Sequence, residues 1–299
     1  MELNTEEPDR NRTQSGKPGL QTETCQQSGK PENGRDETAG SEFEMDIEFL
    51  KKTALEAGQY FRNAKPAPDE IRSKEGRGNF VTKYDKAVQA MLYDMLQKEY
   101  PDCGFFGEED EEHSSLLPEH CFIIDPIDGT ANFINGYGHS AVSIAYAEHG
   151  TPVAGVVYDP YQGELFSAEA GKGAFLNGKR IRVSGRPAED SIVLFGISPY
   201  YEGYGERSFR ILRKLYSVAC DLRNSGSAAL DICYVASGKA DIFFELKLFP
   251  WDYAAAGLIL TEAGGVIANC EGGSLSYTEG GSVICAPPET YEKIKTLLV

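Results

Sequence analysis

Two aspartates at the end of an apolar strand constrain the fold of this chain more than any other feature. The run C-F-I-I-D-P-I-D-G-T occupies residues 121–130 and contains Asp125 and Asp128. Pro126 fixes one backbone angle and Gly129 permits a tight turn, so both carboxylates can face one point. Two close carboxylates repel each other unless one is protonated or a hard divalent cation lies between them. An ordinary Asp-Pro turn is the alternative.

Two further acidic clusters favour the cation. The run G-E-E-D-E-E at residues 107–112 precedes the strand, and W-D-Y-A-A-A-G at residues 251–257 follows far downstream. Glu108 comes directly after an apolar pair and a turn glycine, whereas the remaining acids of its cluster are typical of a solvated loop. Asp252 stands at the start of a predicted helix, where the helix dipole stabilises a negative charge. The small residues of that helix would let it approach a neighbouring backbone closely.

Composition and charge limit the class of protein. The 299 residues include 29 Lys and Arg against 46 Asp and Glu, a net charge of −17, and 41% are hydrophobic. These values exclude a fibrous or wholly disordered chain, and no apolar run is long enough for a membrane span. We therefore expect no nucleic acid partner and no membrane partner, since both need a positive surface. Seven scattered cysteines and the lack of a secretory signal predict a cytoplasmic protein with reduced thiols.

The chain divides into three predicted regions. Residues 1–44 hold only six apolar side chains and are predicted to be a disordered polar tail. Residues 45–187 are predicted to form an N-terminal α+β half with the metal-binding motifs, and residues 188–299 a C-terminal α/β half that completes the site. Periodicity predicts the following elements: helices over 46–65, 85–100 and 208–218, strands over 121–124, 141–147, 153–158, 164–168, 192–197 and 241–244, and a hairpin turn at Asn177-Gly178.

The three acidic motifs, in this order, resemble the inositol monophosphatase family of magnesium-dependent, lithium-sensitive phosphatases. The resemblance rests on G-E-E, D-P-I-D-G-T-x-N-F and W-D-x-A-A-x-G and covers about residues 45–299. It implies an α+β or α/β fold, a layered α-β-α-β-α sandwich of the sugar-phosphatase type, and a homodimer. It also implies two or three Mg²⁺ ions, which would supply the positive field that an acidic chain lacks.

The resemblance assigns roles to particular residues. It implies that Asp85 and Thr130 position and activate a water, and that Glu108 takes part in catalysis as a metal ligand. A bound cation lowers the pKa of water to roughly 7 to 9, so hydroxide exists near neutral pH. The implied metal ligands are four carboxylates and one backbone carbonyl: Glu108, Asp125, Ile127, Asp128 and Asp252.

Other residues are candidates for substrate contact. The backbone N–H groups of Gly129 and Thr130 are placed to hold a phosphate. The segment of Gly226, Ser227 and Ala228 resembles the family's ring-hydroxyl contact, although an ordinary serine cap is an alternative. Glu245, at the end of the predicted strand 241–244, matches an acid that binds inositol hydroxyls, and a merely solvated glutamate is its alternative.

The resemblance implies hydrolysis of a small phosphate monoester, with myo-inositol monophosphate as the first choice. Fructose 1,6-bisphosphate, histidinol phosphate and 3′-phosphoadenosine 5′-phosphate stay open as substrates of the same chemistry. Ala131 and the Phe249-Pro250 pair depart from the family's usual pattern near the substrate. A regulatory protein that retains the fold is the non-enzymatic alternative.

Overall fold

The computed structural model describes residues 45–74, 76, 78–199 and 201–298. Two helices come first in this part of the chain. The predicted tail, residues 1–44, lies outside it. Helix α1 (Ile47–Arg62) buries the predicted apolar stripe, and Asp46 caps its first turn. Helix α2 (Lys83–Glu99) begins two residues before the predicted start because the Thr82 side chain accepts a hydrogen bond from the backbone N–H of Tyr84. The short strands β1 (Ile71–Ser73) and β2 (Phe80–Thr82) pair between these helices.

A seven-stranded sheet follows and carries the first motifs. Its strands lie in chain order, and all neighbours are antiparallel except the first pair. The predicted hairpin turn is confirmed, because Asn177 and Gly178 both have positive φ, 49° and 74°. The strands are β3 (Gly104–Gly107), β4 (His120–Asp128), β5 (Ala141–Glu148), β6 (Thr151–Asp159), β7 (Glu164–Glu169), β8 (Gly173–Leu176) and β9 (Lys179–Arg180).

A five-stranded mixed sheet forms the second half. Its strands are β10 (Ile192–Phe195), β11 (Asp221–Arg223), β12 (Ile242–Leu248), β13 (Val266–Ala268) and β14 (Gly281–Ala286), and they lie in the order β11-β10-β12-β14-β13. Strand β10 lies parallel to both of its neighbours, whereas β14 lies antiparallel to both of its own. The helices are α3 (Thr130–Asn135), α4 (Tyr204–Tyr216), α5 (Ala228–Ala236), α6 (Pro250–Glu262) and α7 (Pro288–Ile294).

The two largest boundary errors in this half are at the start of α4 and at the end of β12, each four residues from the predicted position. Helix α4 begins four residues before the predicted Ser208, after the left-handed Gly203, because its first turn has no side-chain cap that the sequence could reveal. Strand β12 continues past residue 244 to Leu248, with a register shift against β14 between Glu245 and Leu248. Glu245 therefore lies inside the strand rather than at its end.

The layers follow the predicted order. Helices α1 and α2 pack on one face of the seven-stranded sheet, and α5 and α6 lie between the two sheets. Helices α4 and α7 cover the far face of the second sheet. This arrangement confirms the α-β-α-β-α sandwich. The predicted close approach of α6 is also present, since a Cβ at Gly155 of β6 would lie 3.0 Å from the Cα atom of Ala255.

The first sheet ends at Arg180 and the second begins at Ile192, on either side of the predicted boundary at 187/188. The assignment of two halves, 45–187 and 188–299, stays a prediction. The six cysteines in the described residues are all free thiols. In the same part of the chain, every helix is too short or too polar to cross a membrane.

Candidate functional site

The end of β4 places two carboxylates in the interior. The pairing of β4 with β5 shifts register between Asp125 and Asp128, and the chain then turns through Gly129, whose φ is 87°. A Cβ at position 129 would lie 3.0 Å from the carbonyl oxygen of Gly226 and 3.1 Å from that of His139. Only glycine fits this close left-handed turn without strain. The local sequence therefore fixes where β4 ends and where both aspartates point.

Three carboxylates meet at this point. One oxygen each of Asp125, Asp128 and Asp252 can be chosen so that all three lie within 4.8 Å of one another. Asp252 reaches the cluster from the first turn of α6, where its Oδ2 accepts a hydrogen bond of 2.7 Å from the backbone N–H of Phe249. Asp125 is held by the backbone N–H of Ile127 at 2.9 Å. Residues separated by more than a hundred positions thus converge.

The electrostatics of the cluster suit a cation. Burial raises the pKa of Asp125 and of Asp252 well above the usual range, and neighbouring carboxylates raise both further. Burial raises the pKa of Asp128 to about 6. Buried carboxylates that cannot all ionise together lose this penalty when a hard divalent cation binds among them, and such ions prefer oxygen ligands. The donor set therefore fits Mg²⁺.

Asp128 also fixes the start of α5. Its Oδ2 accepts hydrogen bonds from the hydroxyl of Ser227 and from the backbone N–H of Ala229, the latter at 2.9 Å. The same hydroxyl accepts a bond of 3.4 Å from the backbone N–H of Leu230, so the serine-cap alternative is present as well. The predicted substrate segment of Gly226, Ser227 and Ala228 is therefore joined directly to the carboxylate cluster.

Glu108 lies close to the cluster and also binds a lysine. Its Oε1 accepts a hydrogen bond of 2.9 Å from Nζ of Lys74, which also contacts Oε1 of Glu109 at 2.6 Å. The charge of Glu108 is near enough to raise the pKa of Asp125, after the effect of burial. The three-carboxylate group does not include it. Its role as a metal ligand and in catalysis stays a prediction.

Thr130 and Asp85 form the predicted pair. The Thr130 hydroxyl lies 3.0 Å from Oδ1 of Asp85 and 3.2 Å from the carbonyl oxygen of Ile127, and both oxygens accept from it. Oδ2 of Asp85 accepts from the backbone N–H and the hydroxyl of Thr82, at 2.7 and 2.6 Å. Burial raises the pKa of Asp85. These bonds fix the carboxylate that faces the threonine.

Glu245 is more than a solvated side chain. Its Oε1 accepts hydrogen bonds from the hydroxyl of Ser198 at 2.9 Å and from the Ser198 backbone N–H at 3.2 Å. The side chain passes over Gly196, where a Cβ would lie 2.0 Å from Oε2. Burial raises the pKa of Glu245 to about 7. The carboxylate is thus held in place beside the site.

One cavity of about 950 Å³ joins these groups. All the predicted site residues line it except Asp85, which lies behind Thr130. The wall also carries two basic residues that the sequence motifs do not predict, Lys74 and Lys247. The alternation of strand residues could have found Lys247, two positions after Glu245, but the predicted strand ended too early. The predicted residues that line the cavity are Glu108, Asp125, Ile127, Asp128, Gly129, Thr130, Gly226, Ser227, Ala228, Glu245 and Asp252.

Known sequences resemble this chain over most of its length. The sequence profile of the inositol monophosphatase family matches residues 43–299. The protein named Nus factor SuhB from Salmonella typhimurium is 41% identical over 220 residues, which cover 73% of this chain and 82% of the relative. Nus factor SuhB from Escherichia coli K12 is 40% identical over 225 residues, or 75% of this chain and 84% of the relative.

Solved structures share the fold. The extragenic suppressor protein suhB from Bartonella henselae has a TM-score of 0.78 at 35% identity, over 84% of this chain and 97% of its own. The IMPase from Thermotoga maritima has a TM-score of 0.77 at 30% identity, over 84% of this chain and 96% of its own. SaIMPase-II from Staphylococcus aureus was solved with inositol monophosphate bound. It has a TM-score of 0.70 at 26% identity, over 83% of this chain and 91% of its own.

Proposed function

Because this chain belongs to the inositol monophosphatase family, we propose that it is a Mg²⁺-dependent phosphatase that hydrolyses a small phosphate monoester, with myo-inositol monophosphate as its substrate. The observation that carries the proposal is the meeting of Asp125, Asp128 and Asp252 within 4.8 Å on the wall of a large cavity. The structural relative that was solved with inositol monophosphate supports the choice of substrate.

The cation would be held by the three clustered carboxylates, by Glu108 and by the backbone carbonyl of Ile127. Two or three Mg²⁺ ions are proposed. When bound, Mg²⁺ lowers the pKa of water and neutralises charge on the phosphoryl oxygens. The intact set of acidic side chains supports this assignment, since each of them lines the cavity.

The protein's own groups prepare the attack of water on phosphorus. The Thr130 hydroxyl donates to Asp85, so its oxygen is oriented to accept a hydrogen bond from the attacking water. A proton that leaves the water can pass through this hydroxyl to Oδ1 of Asp85, whose pKa is raised by burial. The backbone N–H groups of Gly129 and Thr130 bind the phosphate oxygens in this proposal, and both residues line the cavity.

A second group of cavity residues would bind the rest of the ester. The carboxylate of Glu245, held by Ser198, accepts hydrogen bonds from substrate hydroxyls. The segment of Gly226, Ser227 and Ala228 faces the same space and is tied to Asp128 through Ser227. A polyol is the class of alcohol that these acceptors and backbone groups suit.

A panel of esters tests the proposal. Phosphate release is measured at matched Mg²⁺ from inositol 1-phosphate, fructose 1,6-bisphosphate, histidinol phosphate and 3′-phosphoadenosine 5′-phosphate. We expect the highest kcat/KM for inositol 1-phosphate and inhibition by Li⁺. Asp128→Asn should abolish release, whereas Asp94→Asn, an exposed residue of α2, should not. A higher kcat/KM for another ester would reject the first choice of substrate, and no release from any ester would reject the enzyme.

The names of the relatives support a second candidate. Several are called Nus factor SuhB, which favours a regulatory protein that retains the fold and acts through a partner. Replacing the chromosomal gene with Asp128→Asn separates the two. If phosphate release disappears while the cellular phenotype stays normal, the regulatory role is the one that the cell requires.

Three further expectations stay predictions: a homodimer, a cytoplasmic location and the absence of a nucleic acid partner. Sedimentation of the purified chain tests the first. A filter-binding titration with RNA and DNA at physiological salt tests the third, because contact with phosphates would show as strong salt dependence.

A further inference from the structure

A lysine on the cavity wall has no role in the proposed reaction. Lys247 lies on β12 two residues after Glu245, and alternate residues of a strand face the same side of the sheet. Both side chains line the cavity. Phe249 connects Lys247 to the carboxylate cluster, because its ring contacts the ammonium group and its backbone N–H binds Asp252. Lys247 therefore shares a cavity with Glu245, the proposed substrate contact.

The ammonium group of Lys247 keeps donors available. It donates a hydrogen bond of 2.8 Å to the carbonyl oxygen of Gly280 and lies 4.8 Å from the centre of the Phe249 ring. Within the described residues no carboxylate forms an ion pair with it, in contrast to Lys74, which contacts two. An ammonium has three N–H donors, so up to two stay free for a ligand. A cation held in this way attracts an anion.

The cavity has room for a second anionic group. Its volume of about 950 Å³ is near the upper end for ligand pockets, which hold drug-sized molecules. In the described residues Lys74 and Lys247 are the only lysine or arginine side chains that line it, and Lys74 is engaged by Glu108 and Glu109. The scissile phosphate belongs with the carboxylate cluster. An anion at Lys247 must then be a different group of the same substrate.

We infer that Lys247 binds a second anionic group of the substrate, so that the substrate class extends to phosphate esters that carry another phosphate. This inference rests on the proposed phosphatase activity. It gives Lys247 a role in substrate selection: an ester with a second phosphate binds more tightly than the same ester without it.

Two esters with the same scissile group test the inference. Fructose 1-phosphate and fructose 1,6-bisphosphate differ only at C6, and kcat and KM are measured for both with Mg²⁺ in excess over total phosphate. For Lys247→Met we expect the ratio of kcat/KM, bisphosphate to monophosphate, to fall about tenfold, equivalent to about 1.4 kcal/mol. The fall should come from a higher KM for the bisphosphate. Lys247→Arg should restore most of the ratio.

A matched variant controls for net charge. Lys52→Met removes the same charge from an exposed position of α1 and should leave the ratio at the wild-type value. The inference would be overturned if Lys247→Met kept both the wild-type ratio of kcat/KM, bisphosphate to monophosphate, and the wild-type activity on fructose 1-phosphate. The proposed function would still stand in that case. If the wild-type protein releases phosphate from neither fructose ester nor any ester of the panel, the proposed function fails and the inference fails with it.

Discussion

The hydroxyl of Thr130 donates a hydrogen bond of 3.0 Å to Oδ1 of Asp85, a residue 45 positions earlier in the chain. The pair links the helix after β4 to the first turn of α2. Asp85 is buried, and Thr82 holds its Oδ2 atom. The direction of the Oδ1 atom toward Thr130 is therefore fixed. The hydroxyl proton thereby points to Asp85, and the hydroxyl oxygen of this cavity-lining residue is left to accept a hydrogen bond.

Loss of either member of this pair should lower kcat. General-base contributions are typically 10²- to 10⁴-fold, so we expect losses of about this size in Asp85→Asn and Thr130→Val, with KM nearly unchanged. The double variant should lose little more than either single variant, since both act on one proton. Steady-state kinetics on inositol 1-phosphate measures this. Multiplicative losses in the double variant would show that the two residues act separately.

Asp252→Asn should reverse its effect on stability when Mg²⁺ is added. In EDTA the variant removes one of several crowded carboxyl groups, and an asparagine can still cap the first turn of α6, so its Tm should exceed that of the wild type. With Mg²⁺ at about 100 times its Kd, the wild type should gain about 2.7 kcal/mol. The variant should gain less. Differential scanning fluorimetry measures the change in Tm on addition of Mg²⁺. Equal gains in the wild type and the variant would exclude Asp252 as a ligand.

Glu245 should make stability fall as pH rises. Burial raises its folded-state pKa to about 7, above the ordinary value of 4.5, so the folded state binds more protons between these values. Stability from this group is complete below about pH 4.5 and is lost as pH rises through about 7. The advantage of Glu245→Gln over the wild type, in EDTA, should therefore grow from pH 5 to pH 8. A constant difference in Tm across that range would contradict the expected ionisation.

The turn at Gly129 should tolerate no side chain. Gly129→Ala would place a Cβ at 3.0 Å from one backbone carbonyl oxygen and 3.1 Å from another, at a φ of 87°. We expect a loss of unfolding free energy of about 2 to 3 kcal/mol. Gly136→Ala is the matched control, with a φ of 65° and no atom within 4 Å of the added Cβ, and should cost about 1 kcal/mol. Urea unfolding measures both, and equal losses would remove the argument from close contact.

Local patterns in the sequence predict much of the fold. The apolar stripe of α1 and the Asn177-Gly178 turn depend on neighbours within a few residues, and both are present as predicted. The start of α4 and the end of β12 were misplaced because no capping side chain marks the one and a register shift interrupts the other.

Local sequence patterns do not predict the contacts between the residues of the site. The motifs identified the acidic residues, but nothing in them reveals that Lys74 pairs with Glu108, 34 residues away, or that Ser227 binds Asp128 across 99 residues. Such contacts depend on how the two sheets pack around α5 and α6. The composition of short segments does not encode that packing, so only the structure shows which carboxylates share a point and which one is paired with a lysine.

The most direct test of the cation site is a crystal structure of the wild-type protein with Mn²⁺ and phosphate. Mn²⁺ is a hard divalent cation that takes the same oxygen ligands as Mg²⁺ and can be located by anomalous scattering. We predict anomalous peaks between Asp125, Asp128 and Asp252, with phosphate beside Thr130. Peaks elsewhere, with these three carboxylates free of metal, would contradict the account.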